Sequence, residues 1–214
     1  MTILNEISAA LQQGRAKDVK ELVQQAIDQG IKAQSILEDG LLAGMSVIGE
    51  KFKTGDVFVP EVMIAARAMN MGMALLKPLL AGAGVEAAGK VVIGTVKGDL
   101  HDIGKNLVRM MMEGRGLNVI DLGADVPAEK FIRAINENSA DILALSAMLT
   151  TTMFEMKVVI DALKEAGMRE RVKVMIGGAP VTEGFRATIG ADCYSLDAAT
   201  ASETAVAILG RPAG

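Results

Sequence analysis

Tryptophan is absent from the 214 residues, tyrosine and histidine occur once each, and aromatic residues make up only 3%. Stacking platforms for nucleobases or sugars therefore lack their building material. Cysteine also occurs once, as Cys193, which excludes an internal disulfide and any multi-cysteine zinc or iron–sulfur site and points to a reducing, cytoplasmic setting. Lys and Arg together number 22 against 26 Asp and Glu, a formal charge of −4. With no basic field to hold a polyanion, nucleic acid is not an expected partner. No uninterrupted apolar run reaches the ~18–20 residues that a bilayer span needs, because Arg67, Lys77 and Pro78 interrupt the most apolar stretch. The N-terminus lacks the charged-then-apolar layout of a signal peptide, so no membrane partner is expected either.

What is present is aliphatic: half of the residues are hydrophobic, and 14 of them are Met. The length allows one large domain or two small ones. Over the first 80 residues apolar side chains recur at helical spacing, as in Ile3, Ile7 and Leu11; Val19, Val23 and Ile27; Leu37, Leu41, Met45 and Ile48; and Val62, Ala66, Met69, Met73 and Leu76. This predicts four helices, with stops at Gly14, Gly30 and Gly55, Pro60 in the first turn of the fourth helix and Pro78 at its end. Methionines 63, 69, 71 and 73 read as bundle core, where Met is a flexible gap filler. Residues 1–88 are thus expected to form a four-helix bundle, closed by a small-residue linker at 81–89.

From residue 89 to 214 the pattern changes. Short β-branched runs at 91–96, 119–122, 142–145, 172–176 and, more weakly, 193–195 alternate with helical segments at 103–114, 128–138, 151–166, 181–189 and 199–209. Strands separated by single helices imply βαβ units, and near-continuous apolar strands imply a sheet covered on both faces. The expected fold is α/β: a doubly wound, flavodoxin-like sheet of five parallel strands behind the helical bundle. Such sheets bind ligands beyond the carboxyl ends of their strands, where the strand order reverses. The unusual residues fall there: Lys97–Gly104, Gly123–Asp125, Ser146–Thr150, Gly177–Pro180 and Asp197–Ala199.

The single histidine, His101, stands in the first of these loops between Asp99 and Asp102. A carboxylate two residues away can hold one ring nitrogen and so orient the other toward a metal. One imidazole cannot hold a free metal ion against water, so any metal here must arrive with most of its coordination sphere filled. Nucleotide motifs fail: the position five before Gly104 is Asp99, not Gly, Asn106 stands where a P-loop needs Ser or Thr, and no GxGxxG occurs. Asp99 and Asp102 would also repel a pyrophosphate.

The sequence Asp99-x-His101-x-x-Gly104, followed by Ser146-Ala147-Met148, Thr150 and Gly177-Gly178, resembles the DxHxxG, SxL and GG signature of cobalamin-binding domains. Met148 in place of Leu is the one departure. Residues 1–88, with Phe52–Val62 as part of the likeness, resemble the helical cap of methionine synthase and of the corrinoid proteins of methylamine, methanol and glycine betaine methyltransferase systems.

The resemblance implies a cobalamin, cycling between methylcob(III)alamin and cob(I)alamin, held base-off with His101 as axial cobalt ligand. It implies a proton relay through Asp99 and Thr152, and cofactor contacts from Gly98, Leu100, Asp102, Gly104, Ser146, Met148, Thr150, Gly177, Gly178, Ala198 and Glu38. Phe52 and Val59 of the cap would lie over the upper face. The implied function is a methyl-carrying shuttle subunit, not a catalyst on its own. It would accept a methyl group from a substrate-specific corrinoid methyltransferase and pass it to a second methyltransferase acting on tetrahydrofolate or a thiol, with a reductive activator as a further partner. Movement at the linker would let each partner reach the cobalt. A (β/α)₈ barrel needs about 250 residues, so the chain has no room for either partner's active site. A cobalamin-dependent sensor and a small subunit of a cobalamin mutase are the alternatives. The methyl donor is chosen by the partner and is not written in this chain.

Overall fold

The structure, a computed structural model, describes residues 2–82 and 87–210. It divides into two compact units meeting at Ala87 and Ala88, one built from the N-terminal helices and the other from a sheet with its flanking helices. Of the proposed 81–89 linker, residues 83–86 lie outside the described residues.

The first unit contains α1 (Ile3–Gln12), α2 (Ala16–Asp28), a continuous helical stretch over residues 33–54, and α5 (Val59–Gly82). Within the third stretch the short α3 (Ala33–Ser35) runs into a π-helical segment, Ile36–Leu42, and then into α4 (Ala43–Thr54), every junction keeping helical dihedrals. That π segment is not visible in apolar periodicity. Thr2 caps α1 by accepting from the Asn5 N–H, and Gly55 closes α4 with φ of 80°.

Two expectations are corrected here. Pro78 does not end the last helix, which continues to Gly82. The carbonyl deprived of a donor by Pro78 belongs to Ala74, an exposed residue where water can take up the bond. Met69 is core, but Met63 is half exposed and Met71 and Met73 are only partly covered, so the methionines do not form one buried stripe. The stretch Val59–Leu80 is long and apolar enough to cross a bilayer by length and composition, with Arg67 and Lys77 inside it. Its residues Val62, Ala65, Ala68, Met69 and Leu76 are buried in the structure.

The second unit is a five-stranded, wholly parallel sheet in the order β2-β1-β3-β4-β5. The strands are β1 (Lys90–Thr95), β2 (Asn118–Asp121), β3 (Ile142–Ser146), β4 (Lys173–Gly177) and β5 (Cys193–Tyr194). They alternate with α6 (Ile103–Glu113), α7 (Ala128–Asn138), α8 (Glu155–Glu165), α9 (Glu183–Ile189) and α10 (Ala198–Ile208). This is the doubly wound α/β fold expected from the alternation. Because side chains alternate across a strand, each face collects its own core. Val92, Leu143, Leu145, Val174 and Ile176 pack with Phe131, Ile135, Ile160 and Phe185 from α7, α8 and α9. Val91, Ile93, Ile142, Ala144 and Met175 pack with Met112 of α6 and with Ala201, Ala205 and Val206 of α10.

The helix expected from residue 151 begins only at Glu155. Residues 149–154 form a turn whose Thr152 hydroxyl reaches the site described below. The chain steps from β1 outward to β2 and then back across β1 to β3, so the strand order reverses between the carboxyl ends of β1 and β3.

Candidate functional site

The β1–α6 loop and the β3–α8 turn meet at this reversal, and a single carboxylate joins them. Asp99 is fully buried. Its Oδ2 accepts from the Thr152 hydroxyl at 2.6 Å and from the Met148 N–H at 2.7 Å, both in the β3–α8 turn. Its Oδ1 accepts from the His101 backbone N–H at 3.0 Å and lies 2.8 Å from His101 Nδ1. Burial by itself would raise the Asp99 carboxyl, but the bonds from Thr152, Met148 and both His101 donors outweigh it and hold the group well below the usual carboxylate range.

An ionised carboxylate can only accept, so His101 Nδ1 must carry the proton in this contact, and in the neutral ring Nε2 bears a free lone pair. The imidazole is 55% exposed, and among the described residues Nε2 has no protein partner. The arrangement is a buried anion that fixes the tautomer and aim of an accessible ligand nitrogen. Among the described residues no three His, Cys, Asp or Glu side chains gather to hold a metal ion.

The loop around His101 is tied at several further points. The Thr95 hydroxyl donates to the His101 carbonyl at 3.0 Å. Gly98, in a left-handed conformation, donates its N–H to Asp125 Oδ1 at 2.7 Å, and the Asp125 N–H returns a bond to the Asp99 carbonyl. Asp125 itself has φ of 54°, an unusual value for a residue other than glycine. Below the loop, Lys105 on α6 is almost fully buried and donates to both oxygens of Asp121 at the end of β2 and to Asn106 Oδ1. Asn106 in turn donates to Asp102 Oδ2 at 3.0 Å.

The glycines after β4 have a steric role. A Cβ on Gly178 would stand 1.8 Å from the Ala147 carbonyl oxygen, and a Cβ on Gly177 would stand 3.2 Å from that of Ser195. Register places Thr95, Ser146 and Gly177 side by side at the last rung of β1, β3 and β4. They share the face covered by α6 and α10, since Ile93, Ala144 and Met175, two residues earlier, pack there. These strand ends therefore carry small groups, and Ala198 is buried in the first turn of α10. Around the same strand ends Leu100, Ile103, Met148, Leu149, Phe154 and Leu196 are all exposed, an apolar rim.

The structure thus brings together Gly98, Asp99, His101, Met148 and Thr152 in one hydrogen-bonded cluster, with Leu100, Asp102 and Gly104 exposed on the same loop. Ser146, Gly177 and Gly178 stand at the adjacent ends of β3 and β4, Ala198 opens α10, and Thr150 is exposed on the β3–α8 turn. Glu38, Phe52 and Val59 belong to the helical unit. Glu38 lies exposed in the π segment, accepting from Gln34 Nε2 at 3.0 Å, and Phe52 and Val59 are half-buried on α4 and α5. Residue-by-residue reading missed the part played by Asp125, although its loop stood out, and the Lys105–Asp121 pair, for which a lone Lys in a helical pattern gives no signal.

Comparison with known proteins bears on the whole chain. The B12 binding domain family matches residues 89–208, and a second B12 binding domain family matches residues 3–77. A corrinoid protein of Desulfitobacterium hafniense is 42% identical over 99% of this chain and 99% of its own length. The dimethylamine corrinoid protein of Methanosarcina barkeri is 43% identical, covering 97% of each chain. Among solved structures, the methanol:cobalamin methyltransferase complex of Methanosarcina barkeri contains a chain that matches with a TM-score of 0.89 and 36% identity, over 97% of this chain and 80% of that one. A cobalamin-binding protein of Desulfitobacterium hafniense matches with a TM-score of 0.78 and 34% identity, over 96% and 98%.

Proposed function

The chain belongs to the B12-binding corrinoid proteins, and on that footing we propose that it is the methyl-carrying subunit of a cytoplasmic methyltransferase system, holding cobalamin base-off with His101 below the cobalt. The residues present suit such a group. A corrin supplies four nitrogen ligands, so the one free imidazole nitrogen is sufficient. The exposed Leu100, Ile103, Met148 and Leu149 suit the underside of a broad, flat macrocycle, and the small groups Ser146, Gly177 and Ala198 at the neighbouring strand ends suit its displaced nucleotide tail. When bound, the corrinoid supplies a cobalt centre that takes up and releases a methyl group.

This chain's own part is to present and tune the ligand. Asp99 accepts from Nδ1 and so fixes the tautomer and aim of the ring, while the Thr152 hydroxyl and the Met148 N–H hold Asp99 in turn. The donor side is served by a substrate-specific corrinoid methyltransferase. A second methyltransferase, acting on tetrahydrofolate or a thiol, takes the methyl group onward, and a reductive activator restores carriers that become oxidised. Relatives that match over 97% of the chain include dimethylamine corrinoid proteins, which is why the sensor and mutase readings are not retained.

The observation that carries the proposal is the Asp99-locked imidazole with Nε2 open. Since His101 is the only histidine, its label is unambiguous. Protein grown with ¹⁵N-histidine and loaded with cobalamin should, in the cobalt(II) state, show a doublet superhyperfine splitting in place of the ¹⁴N triplet. Identical spectra for the two isotopes would refute the axial ligand.

A further inference from the structure

Asp125 stands in the β2–α7 loop and braces the loop that carries His101 by two bonds of opposite sense. Its Oδ1 accepts from the Gly98 N–H at 2.7 Å, and its own N–H donates to the Asp99 carbonyl at 3.0 Å. The next residue anchors the brace: Val126 is buried, bridges Val96 in parallel and donates its N–H to the Thr95 carbonyl at 3.0 Å. Between the two Asp125 bonds, the Asp99 N–H closes a turn on the Val96 carbonyl at 3.2 Å. The peptide units 97–98, 98–99 and 99–100 are therefore tied in succession, the outer two by Asp125. A Cβ on Gly98 would meet nothing closer than Thr152 Cγ2 at 3.7 Å, so glycine serves there for its φ of 78° and not for space.

Asp125 holds φ of 54°, which strains a residue with a side chain and would not strain glycine. What aspartate adds is the carboxylate. The residue is exposed, and a hydrogen bond made beside water contributes little to the fold, so its consequence lies in what it holds. What it holds is the backbone of Asp99, the buried anion that engages His101 Nδ1 at 2.8 Å.

We propose that Asp125 is a positioning residue for the axial ligand, fixing through Gly98 and Asp99 the tautomer and aim of His101. This rests on cobalt ligation by His101 as proposed above. Without the carboxylate, the 97–98 peptide loses its acceptor and gains other orientations, and Asp99 meets Nδ1 for only part of the time. Both neutral tautomers are then populated, and the one protonated on Nε2 has no lone pair there to offer a metal.

Two variants of the full-length protein separate the bond from the strain. Asp125→Gly keeps the backbone angle and deletes the carboxylate, whereas Asp125→Asn tolerates the angle and keeps an oxygen that accepts from Gly98. In apo-protein labelled with ¹⁵N-histidine at neutral pH, the two ring-nitrogen shifts of His101 should be far apart in wild type, converge in Asp125→Gly and separate again in Asp125→Asn. With cobalamin bound in the cobalt(II) state, the ratio of nitrogen-split to unsplit axial resonance should fall roughly tenfold in Asp125→Gly, the lower end of what loss of a ligand's outer partner costs, and recover in Asp125→Asn. The apo melting temperature of Asp125→Gly should stay within about 3 °C of wild type, because relief of strain offsets one exposed bond. Unchanged ring shifts or unchanged splitting in Asp125→Gly would overturn the assignment. Failure of Asp125→Asn to restore them, or a large fall in melting temperature marking Asp125 as a residue of the fold, would overturn it as well. Wild-type protein that binds cobalamin without nitrogen splitting would remove the ligation reading itself, a failure visible before any variant is compared.

Discussion

Replacing Gly178 by alanine is expected to unfold much of the sheet edge and abolish corrinoid binding. The added methyl would lie 1.8 Å from the Ala147 oxygen, 2.8 Å from its carbonyl carbon and 3.2 Å from its nitrogen, all backbone atoms. Ala147 is completely buried and its N–H is bonded to the Gly177 carbonyl, so it has no room to retreat. Gly178 also has φ of 131°, a conformation that disfavours any side chain. Overpacking and strain each cost roughly 1–3 kcal/mol, so a loss on the order of 4 kcal/mol is expected, a large share of a typical domain's stability. Thermal unfolding of the apo-protein should show a midpoint lower by about 10 °C. A midpoint close to wild type would mean that β3 and β4 do not approach as closely as described.

The second large effect is expected from Asp99→Asn. An amide oxygen could still accept from the Thr152 hydroxyl and the Met148 N–H, but its NH₂ would then face the His101 N–H and Nδ1–H, donor against donor. Leaving both His101 donors without an acceptor and losing charge-assisted bonds should cost roughly 1–3 kcal/mol, read by denaturant titration. The imidazole would lose the acceptor that fixes its tautomer, and corrinoid affinity should fall about 10- to 100-fold, as when other oriented metal ligands lose their partner. The same substitution tests a pH dependence. Because the folded-state pKa of Asp99 is depressed, its contribution is complete above the ordinary carboxylate pKa of about 3.9 and is lost as pH falls below it. Wild-type apo-protein should lose stability on that descent, and Asp99→Asn should lose correspondingly less. Equal acid sensitivity in both would dissociate the carboxylate from the fold.

The parts of the molecule that were legible in the sequence are those governed by local rules. Apolar runs such as Val91–Ile93 and Ile142–Leu145 mark buried parallel strands because both faces need covering, and the spacing of Asp99 and His101 is short enough for one loop to bring them into contact. What escaped depends on contacts distant in sequence or on backbone hydrogen-bond register. The π segment at Ile36–Leu42 alters which carbonyl each N–H meets without disturbing the apolar pattern. The bond from Thr152 to Asp99 spans 53 residues, and the orphaned Ser195 hydroxyl is visible only once every neighbour has been placed. Asp125 takes a backbone conformation that composition favours in glycine, so its role as a strut for Gly98 could not be read from its type.

Both backbone polar groups of His101 are tied, the N–H to Asp99 and the carbonyl to Thr95, which leaves the ring no hinge in the main chain. Rotation of the ring itself would break the Nδ1 contact with a buried anion. The imidazole is therefore a stationary post. Were Nε2 to ligate the proposed cobalt, a change in that distance would be expected to fall on the metal's side, because His101 would be held in place. Vibrational or crystallographic comparison of ligated and unligated forms should find the displacement on the macrocycle side.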